Sequence, residues 1–176
     1  DHRYFLSDDE LDESRFDHNA RTHIWDVSDL HAPTVIGIYT SEAESIDHNL
    51  YVRGGYVFEA NYSAGLRILS LENIAEGELT EVAYFDTLPQ ADAIRTIGAW
   101  SVYPFFESGN VIVSSIDEGL FILRPNLPPE YWATVDDNVL DFCIDASSSL
   151  TTSIASFPGA IRPVSYTHLT LPTTVS

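Results

Sequence analysis

The sequence predicts an all-β protein, a partial β-propeller with about three four-stranded blades. A short strand motif recurs along the chain, and its runs carry apolar side chains on both faces. A strand that is apolar on both faces needs a neighbour on each side, which stacked blades provide. The alternative, a parallel βαβ fold, needs crossovers of about a dozen or more residues. No segment has the apolar pattern of a packed crossover helix.

The clearest blade lies in the middle of the predicted propeller. Gly54-Gly55 separates two β-rich runs by two residues, which is the signal of a hairpin with a primed turn. A second turn at Ser63-Ala64-Gly65 leads to a third run, and a longer loop leads to a fourth. The predicted product is an antiparallel meander of four strands: Leu50–Arg53, Tyr56–Asn61, Leu66–Leu71 and Glu81–Asp86.

The third strand of this blade repeats on either side of it. The segments "ARTHIWDVSD" and "EGLFILRP" align with "AGLRILSLEN", which makes Ile24, Ile68 and Ile122 equivalent. Their spacings of 44 and 54 residues are close to the period of roughly 40–50 residues that propeller blades have. The repeat therefore predicts one blade before the central meander and one after it.

The other strands of these blades follow from the same alignment. Val35–Thr40 matches the fourth strand of the central blade, and the first strands are predicted at Arg3–Leu6, Leu50–Arg53 and Ala99–Tyr103. The third blade continues through Asn110–Ser115 and Gly119–Arg124. Because Pro125 and "LPPE" then end the pattern, its fourth strand is predicted to come from upstream of Asp1.

Composition limits the function. The chain of 176 residues has 27 Asp and Glu against 8 Arg and no Lys, for a net charge of −19. Such a surface repels phosphate backbones and anionic lipids, which argues against nucleic acid as a partner, and it suits a solvated face, a saline medium or divalent cations. The single cysteine, Cys143, excludes an internal disulfide framework. No apolar run is long enough for a membrane span, and the absence of Met predicts a fragment or a processed chain.

Enzyme motifs are missing, so the candidate site is argued from position. His2 and His48 each follow an Asp and open a predicted first strand, and Trp100 lies near the third equivalent place. First strands line the channel of a propeller. Asp47, His48, Asn49, His2 and Trp100 are therefore the candidate ligand-binding residues, and a blade-to-blade hydrogen bond is the structural alternative for the two histidines.

An acidic segment near the start is the candidate metal site. Asp8, Glu10 and Asp12 alternate as in a calcium loop, which makes calcium the candidate cofactor. An EF-hand loop is excluded, because its sixth and twelfth positions hold Glu13 and Asn19 instead of Gly and Glu. Asp136-Asp137 is a second place for a loose carboxylate site, and the default interpretation of the acidic segment is a solvated loop with one helical turn.

Several long stretches resemble the choice-of-anchor B family, which consists of secreted, mostly bacterial proteins with LVIVD-type repeats. They are "DHRYFLSDDELDE", "THIWDVSDLHAPTVIGIYT", "IDHNLYVRGGYVFEANYSAGLRIL" and "GAWSVYPFFESGNVIVSSIDEGLFIL". Ser70 stands where the repeat usually has Asp. The resemblance covers residues 1–125 and implies an exported β-propeller at the cell surface or outside the cell, monomeric when complete, without implying a particular activity.

The rest of the chain is divided by composition. Residues 126–130 are a Pro-rich linker, and residues 131–164 resemble the start of the immunoglobulin-like β-sandwich that follows such propellers. Residues 165–176 resemble translated adapter sequence and are predicted to be a non-native tail. The sequence favours a non-enzymatic binding or interaction scaffold with a protein or carbohydrate ligand. The alternative is a hydrolase or lyase that uses the propeller funnel, with or without a metal.

Overall fold

A computed structural model gives the structure of residues 3–89, 93–127 and 161–162. These residues form three antiparallel sheets, which confirms the all-β class. The predicted linker lies mostly outside them. Of the predicted sandwich segment, only residues 161–162 are described. The predicted tail and His2 lie outside the described residues. No helix in the described part of the chain is long and apolar enough to cross a membrane.

The first sheet has three strands in the order β1-β2-β3. They are β1 (Tyr4–Ser7), β2 (Arg21–Asp26) and β3 (Thr34–Thr40). A short helix, α1 (Asp12–Phe16), lies in the loop between β1 and β2. This confirms the helical turn in the acidic segment, but the prediction of a solvated loop is wrong for Asp12 and Glu13, which are buried.

The middle sheet is the predicted meander. Its strands β4 (Asn49–Arg53), β5 (Tyr56–Ala60), β6 (Leu66–Ser70) and β7 (Thr80–Phe85) pair in chain order. A 3₁₀ turn at Ile74–Glu76 lies between β6 and β7. Gly54 and Gly55 have φ of 57° and 80°, as a two-residue primed turn requires.

The third sheet contains β8 (Ala99–Tyr103), β9 (Val111–Ser115) and β10 (Gly119–Pro125). A two-residue strand, β11 (Ile161–Arg162), pairs with the end of β10. The prediction that a segment upstream of Asp1 supplies this fourth strand is therefore wrong within the described residues. Its position is taken by a segment that comes later in the chain.

The strand pairing confirms the repeat that the sequence predicts. Ile24 lies opposite Leu6, Ile68 opposite Phe58, and Ile122 opposite Ile112. The ladder of the first sheet also shifts register after Ile24, and that of the middle sheet shifts after Ile68. A β-bulge at the same place in two sheets is a feature of the repeated unit, because bulges are specific local structures rather than defects.

The register corrects one predicted equivalence. Because β2 corresponds to β6, its partner β1 corresponds to β5, the second strand of the middle sheet. The expectation that Arg3–Leu6 is a first strand like Leu50–Arg53 is therefore wrong. Both segments are short and apolar and follow Asp-His, so the local sequence could not reveal which strand each one would pair with.

The middle sheet is buried on both faces, as stacked blades require. The apolar runs that led to this prediction lie in β9 and β10 of the third sheet, where only every second residue is buried. One core lies between the middle sheet and the first sheet and contains Leu6, Ile24, Val57, Leu69 and Leu79. A larger core faces the third sheet and is formed by Tyr56, Phe58, Ala60, Leu66, Ile68, Ala83, Phe85, Ala99, Val102, Val111, Val113, Phe121, Leu123 and Leu127. Successive side chains of one strand, such as Val57 and Phe58, thus enter different cores.

Antiparallel pairing brings five connections to one end of the sheets, called the loop end below. Within the described residues they are 8–20 between β1 and β2, 41–48 between β3 and β4, 61–65 between β5 and β6, 86–89 and 93–98 between β7 and β8, and 116–118 between β9 and β10. The hairpin turn at Gly54-Gly55 lies at the opposite end. The loop end therefore gathers the residues that the sequence marks as functional.

We expect Gly37→Ala to lower the free energy of unfolding by about 2 kcal/mol. A Cβ at Gly37, in β3, would lie 1.9 Å from the carbonyl oxygen of Gly77, which is main chain of the middle sheet's 71–79 loop. The control is Gly55→Asn, because Gly55 has open space around it and Asn tolerates a positive φ. Urea unfolding measures both, and equal losses would contradict the close approach of the two sheets.

Candidate functional site

An imidazole and two aromatic rings meet at the loop end. The His48 ring lies 4.4 Å from the Trp100 ring and 4.9 Å from the Tyr62 ring, measured between centroids. Tyr62 and Trp100 meet edge to face at 5.9 Å. Trp100 is 48% exposed, whereas Tyr62 is 1% exposed. The group thus presents the indole ring to solvent on a buried support.

Polar contacts hold this group in place. The Tyr62 hydroxyl donates to Glu10 Oε1 at 2.5 Å, and His48 Nδ1 lies 3.3 Å from both of these oxygens. Tyr62 has one hydroxyl proton, and it goes to Glu10. A proton on His48 Nδ1 therefore allows the imidazole to donate a hydrogen bond to these oxygens. Asn49 Nδ2 donates to the Trp100 carbonyl oxygen at 3.1 Å.

The main chain of Tyr62 joins the middle and third sheets. Its φ of 39° is in the left-handed region, which is uncommon for a residue with a bulky side chain. Its carbonyl oxygen accepts hydrogen bonds from Gly65 N at 3.0 Å and from Ala99 N at 2.8 Å. These hydrogen bonds therefore hold the start of β8, which includes Trp100, against the 61–65 loop to which Tyr62 belongs. Burial and Glu10 together raise the pKa of the Tyr62 hydroxyl.

A second group, the acidic cluster, consists of Asp8, Asp12, Glu13 and Asp47. Glu13 is 0%, Asp47 1% and Asp12 6% exposed. One oxygen of each of these three residues, and both oxygens of Asp8, are buried without a hydrogen-bond partner. Within residues 3–89 and 93–127, no arginine forms an ion pair with any of the four. Buried charge without a partner carries a large free-energy cost.

The remaining oxygens of Asp12, Glu13 and Asp47 each have a neighbour, which is a main-chain donor for Glu13 and Asp47 and an imidazole for Asp12. Asp47 N donates to Glu13 Oε1 at 2.9 Å, and Arg21 N donates to Asp47 Oδ2 at 3.3 Å. His18 Nε2 lies 3.6 Å from Asp12 Oδ2. Each of these three carboxylates therefore has one oxygen with a neighbour and one without.

Burial and mutual repulsion raise the pKa of two members of the cluster. Burial and the charge of Glu59 raise the pKa of Asp8 to about 8. Burial, followed by the charges of Asp8 and Glu13, raises the pKa of Asp47 to about 9. Both shifts have the same kind of cause, since each carboxyl group is largely removed from water and lies near other carboxyl groups.

Glu59 lies beside the cluster but has its own partners. It accepts from the Thr22 hydroxyl at 2.7 Å and from Asn61 Nδ2 at 3.1 Å. Burial raises the pKa of Glu59 to about 7 in spite of these bonds. Because the hydroxyl proton of Thr22 goes to Glu59, it does not satisfy Asp8.

The acidic cluster has the dimensions of a cation site. Asp12, Glu13 and Asp47 each offer an oxygen, and these oxygens lie within 4.8 Å of one another. Oxygens that bind one Ca²⁺ at about 2.4 Å can be no more than roughly 4.8 Å apart. The donor set consists of carboxylates, which hard cations prefer. The residues present therefore fit a calcium ion.

The structure divides the predicted site residues between the two groups. His48, Asn49 and Trp100 come together, whereas Asp47 belongs to the acidic cluster. His2 lies outside the described residues, and its predicted equivalence to His48 falls with the corrected strand position.

The predicted metal residues divide in the same way. Asp8 and Asp12 lie in the acidic cluster, but Glu10 does not. The Glu10 side chain is 41% exposed and contacts Tyr62 and His48. In the tight loop between β1 and α1 the carboxylates do not all point the same way, so alternation along the sequence did not identify the set that converges.

Sequence reasoning missed Glu13, Glu59 and Tyr62. For Glu59 a signal existed, because a charge inside "YVFEA", a strand with apolar neighbours on both faces, has to be buried. Glu13 was considered only as a reason to exclude an EF-hand. Nothing in the local sequence signals Tyr62, because its role depends on a contact with β8.

Comparison with protein-family models, curated proteins and solved structures gives no match for this chain. The resemblance to the choice-of-anchor B family therefore stays a prediction.

Without divalent cations, stability should fall as the pH rises from about 5 to about 9. The pKa values of Asp8, Asp47 and Glu59 are raised above the usual value of about 4, so the folded chain holds protons that the unfolded chain releases. This contribution is complete below the unfolded pKa and is lost as the pH passes the folded one. Each proton accounts for about 1.4 kcal/mol per pH unit within that window.

Urea unfolding in EDTA at several pH values measures this slope. Asp47→Asn should make it shallower, and Asp9→Asn, an exposed change in the same loop, should leave it unchanged. A stability that is flat or rises over this range would contradict the assigned protonation.

Proposed function

We propose that this chain is part of an exported β-propeller that acts as a non-enzymatic binding scaffold at the cell surface or outside the cell. The three sheets serve as successive blades. The repeated register and bulge of the first two sheets support this arrangement, as does the burial of the middle sheet on both faces. The resemblance to the choice-of-anchor B family supports export.

The observation that carries the binding function is the half-exposed Trp100 ring on its support of His48 and Tyr62. A flat aromatic face with polar groups beside it suits the apolar face and the hydroxyls of a sugar ring. Glu10, exposed next to His48, supplies an acceptor for those hydroxyls. The ligand class that this geometry favours is therefore carbohydrate, with a protein ligand as the competing outcome.

The alternative function is a hydrolase or lyase. The observation in its favour is the hydrogen-bonded group of Glu10, His48 and Tyr62, which could move a proton. Against it, the carboxyl groups of Asp8 and Glu59, whose pKa values are raised toward neutrality, are too deeply buried to meet a substrate. Binding thus has the stronger support.

We expect Trp100→Ala to weaken carbohydrate binding at least about tenfold, because truncation of a central aromatic residue commonly costs more than 1.4 kcal/mol. The 176-residue chain is first tested on an oligosaccharide array, and the affinity for any hit is measured by isothermal titration calorimetry. Leu30→Ala is the control, because Leu30 is exposed and belongs to the first sheet's 27–33 turn at the opposite end.

Three results would count against the proposal. Undiminished affinity in Trp100→Ala would exclude this surface. An array without hits would exclude carbohydrate as the ligand class. Cleavage of a bound sugar that is lost in His48→Ala would favour the hydrolase or lyase.

A further inference from the structure

The acidic cluster is a feature that the binding function does not use. It lies at the loop end, between the first and middle sheets, and its unpartnered oxygens are closed off from solvent. A solvated acidic loop would expose its carboxylates, as Asp9 does in the same segment. The burial of Asp8, Asp12, Glu13 and Asp47 therefore requires a separate explanation.

We propose that Asp12, Glu13 and Asp47 bind one calcium ion beside Asp8, and that this ion fastens the loop between β1 and β2 to the connection that enters β4.

The first argument is that buried carboxylate oxygens lack hydrogen-bond partners. Main-chain donors occupy Glu13 Oε1 and Asp47 Oδ2, which leaves Glu13 Oε2 and Asp47 Oδ1 without partners. Asp12 shows the same division, with Oδ2 near His18 and Oδ1 free. Three residues from two separate segments thus each retain a buried acceptor, and one oxygen from each of these three residues lies within the span of a single ion.

The second argument is charge. Up to four negative groups share the cluster, and no arginine in the described ranges pairs with them. A divalent cation supplies the missing positive charge and occupies the free lone pairs, so that a buried carboxylate retains its ionised form.

The third argument selects the ion. All donors are oxygen, whereas zinc prefers imidazole and thiolate. Magnesium is reluctant to lose water and usually keeps several water ligands. Calcium accepts six to eight oxygens in flexible geometry and binds carboxylates at one or both oxygens. Free oxygens that solvent does not reach therefore fit calcium best.

The site would also order the aromatic group. Asp47 immediately precedes His48, and Asp8 and Asp12 flank Glu10, which contacts His48 and Tyr62. Calcium bound there would fix both segments, and with them the positions of His48 and Glu10. Its role would be structural, because the unpartnered oxygens available to it are buried.

The test is the melting temperature of the 176-residue chain in EDTA, in 1 mM CaCl₂ and in 1 mM MgCl₂. We expect calcium to raise the Tm by at least about 5 °C, because an ion that binds only the folded state stabilises it by mass action. Glu13→Gln and Asp47→Asn keep the shape of the side chain but remove a charge, and each should abolish most of the rise. Asp9→Asn, an exposed change in the same loop, should keep it.

Calorimetric titration of the unmodified chain with CaCl₂ gives a second measurement that does not depend on a variant folding. A stoichiometry of one supports the proposal. A Tm that does not respond to calcium, or a rise that survives in both Glu13→Gln and Asp47→Asn, would overturn it. An equal rise with magnesium would overturn the choice of calcium.

Discussion

The structure depends on one constraint, that both faces of the middle sheet must be covered. Val57 and Phe58 are neighbours in β5, yet one packs against the first sheet and the other against the third. Because apolar area gains free energy only when water is excluded, at about 25 cal/mol per Å², a sheet of this composition requires a partner on each side. The two flanking sheets bring their loops to one end, and both candidate groups lie there.

The aromatic group and the acidic cluster have different structural roles at that end. The aromatic group is assembled around Tyr62, whose main chain holds β8 and whose ring and hydroxyl contact Trp100, His48 and Glu10. The acidic cluster concentrates negative charge where the first and middle sheets meet. His48 and Asp47 are adjacent in sequence and enter different groups, so the order of one group depends on the order of the other.

Calcium also agrees with the composition of the chain. A net charge of −19 with eight arginines and no lysine leaves most carboxylates without a cationic partner. On the surface, water and salt screen this excess. In the acidic cluster neither can, so the choice is between protonation, with raised pKa values for Asp8 and Asp47, and a bound cation. Asp47 thus contributes both to the expected pH dependence and to the proposed metal site.

The sequence by itself determined the strands, the hairpin glycines and the equivalence of Ile24, Ile68 and Ile122. These are properties of the sequence alone, because apolar runs between turn residues, a primed turn and an internal repeat can each be recognised without knowing which segments meet in space. It also marked His48, Asn49 and Trp100 as candidates, and they do meet.

Only the tertiary structure decided which strand β1 pairs with, which way Glu10 and Asp47 turn, and that Glu13 and Tyr62 belong to the site. Each of these depends on residues distant in the chain. Asp8 and Glu10 are two residues apart, yet one lies in a buried cluster and the other beside an exposed ring. What surrounds a side chain, rather than its place in the sequence, determines its charge and its partner.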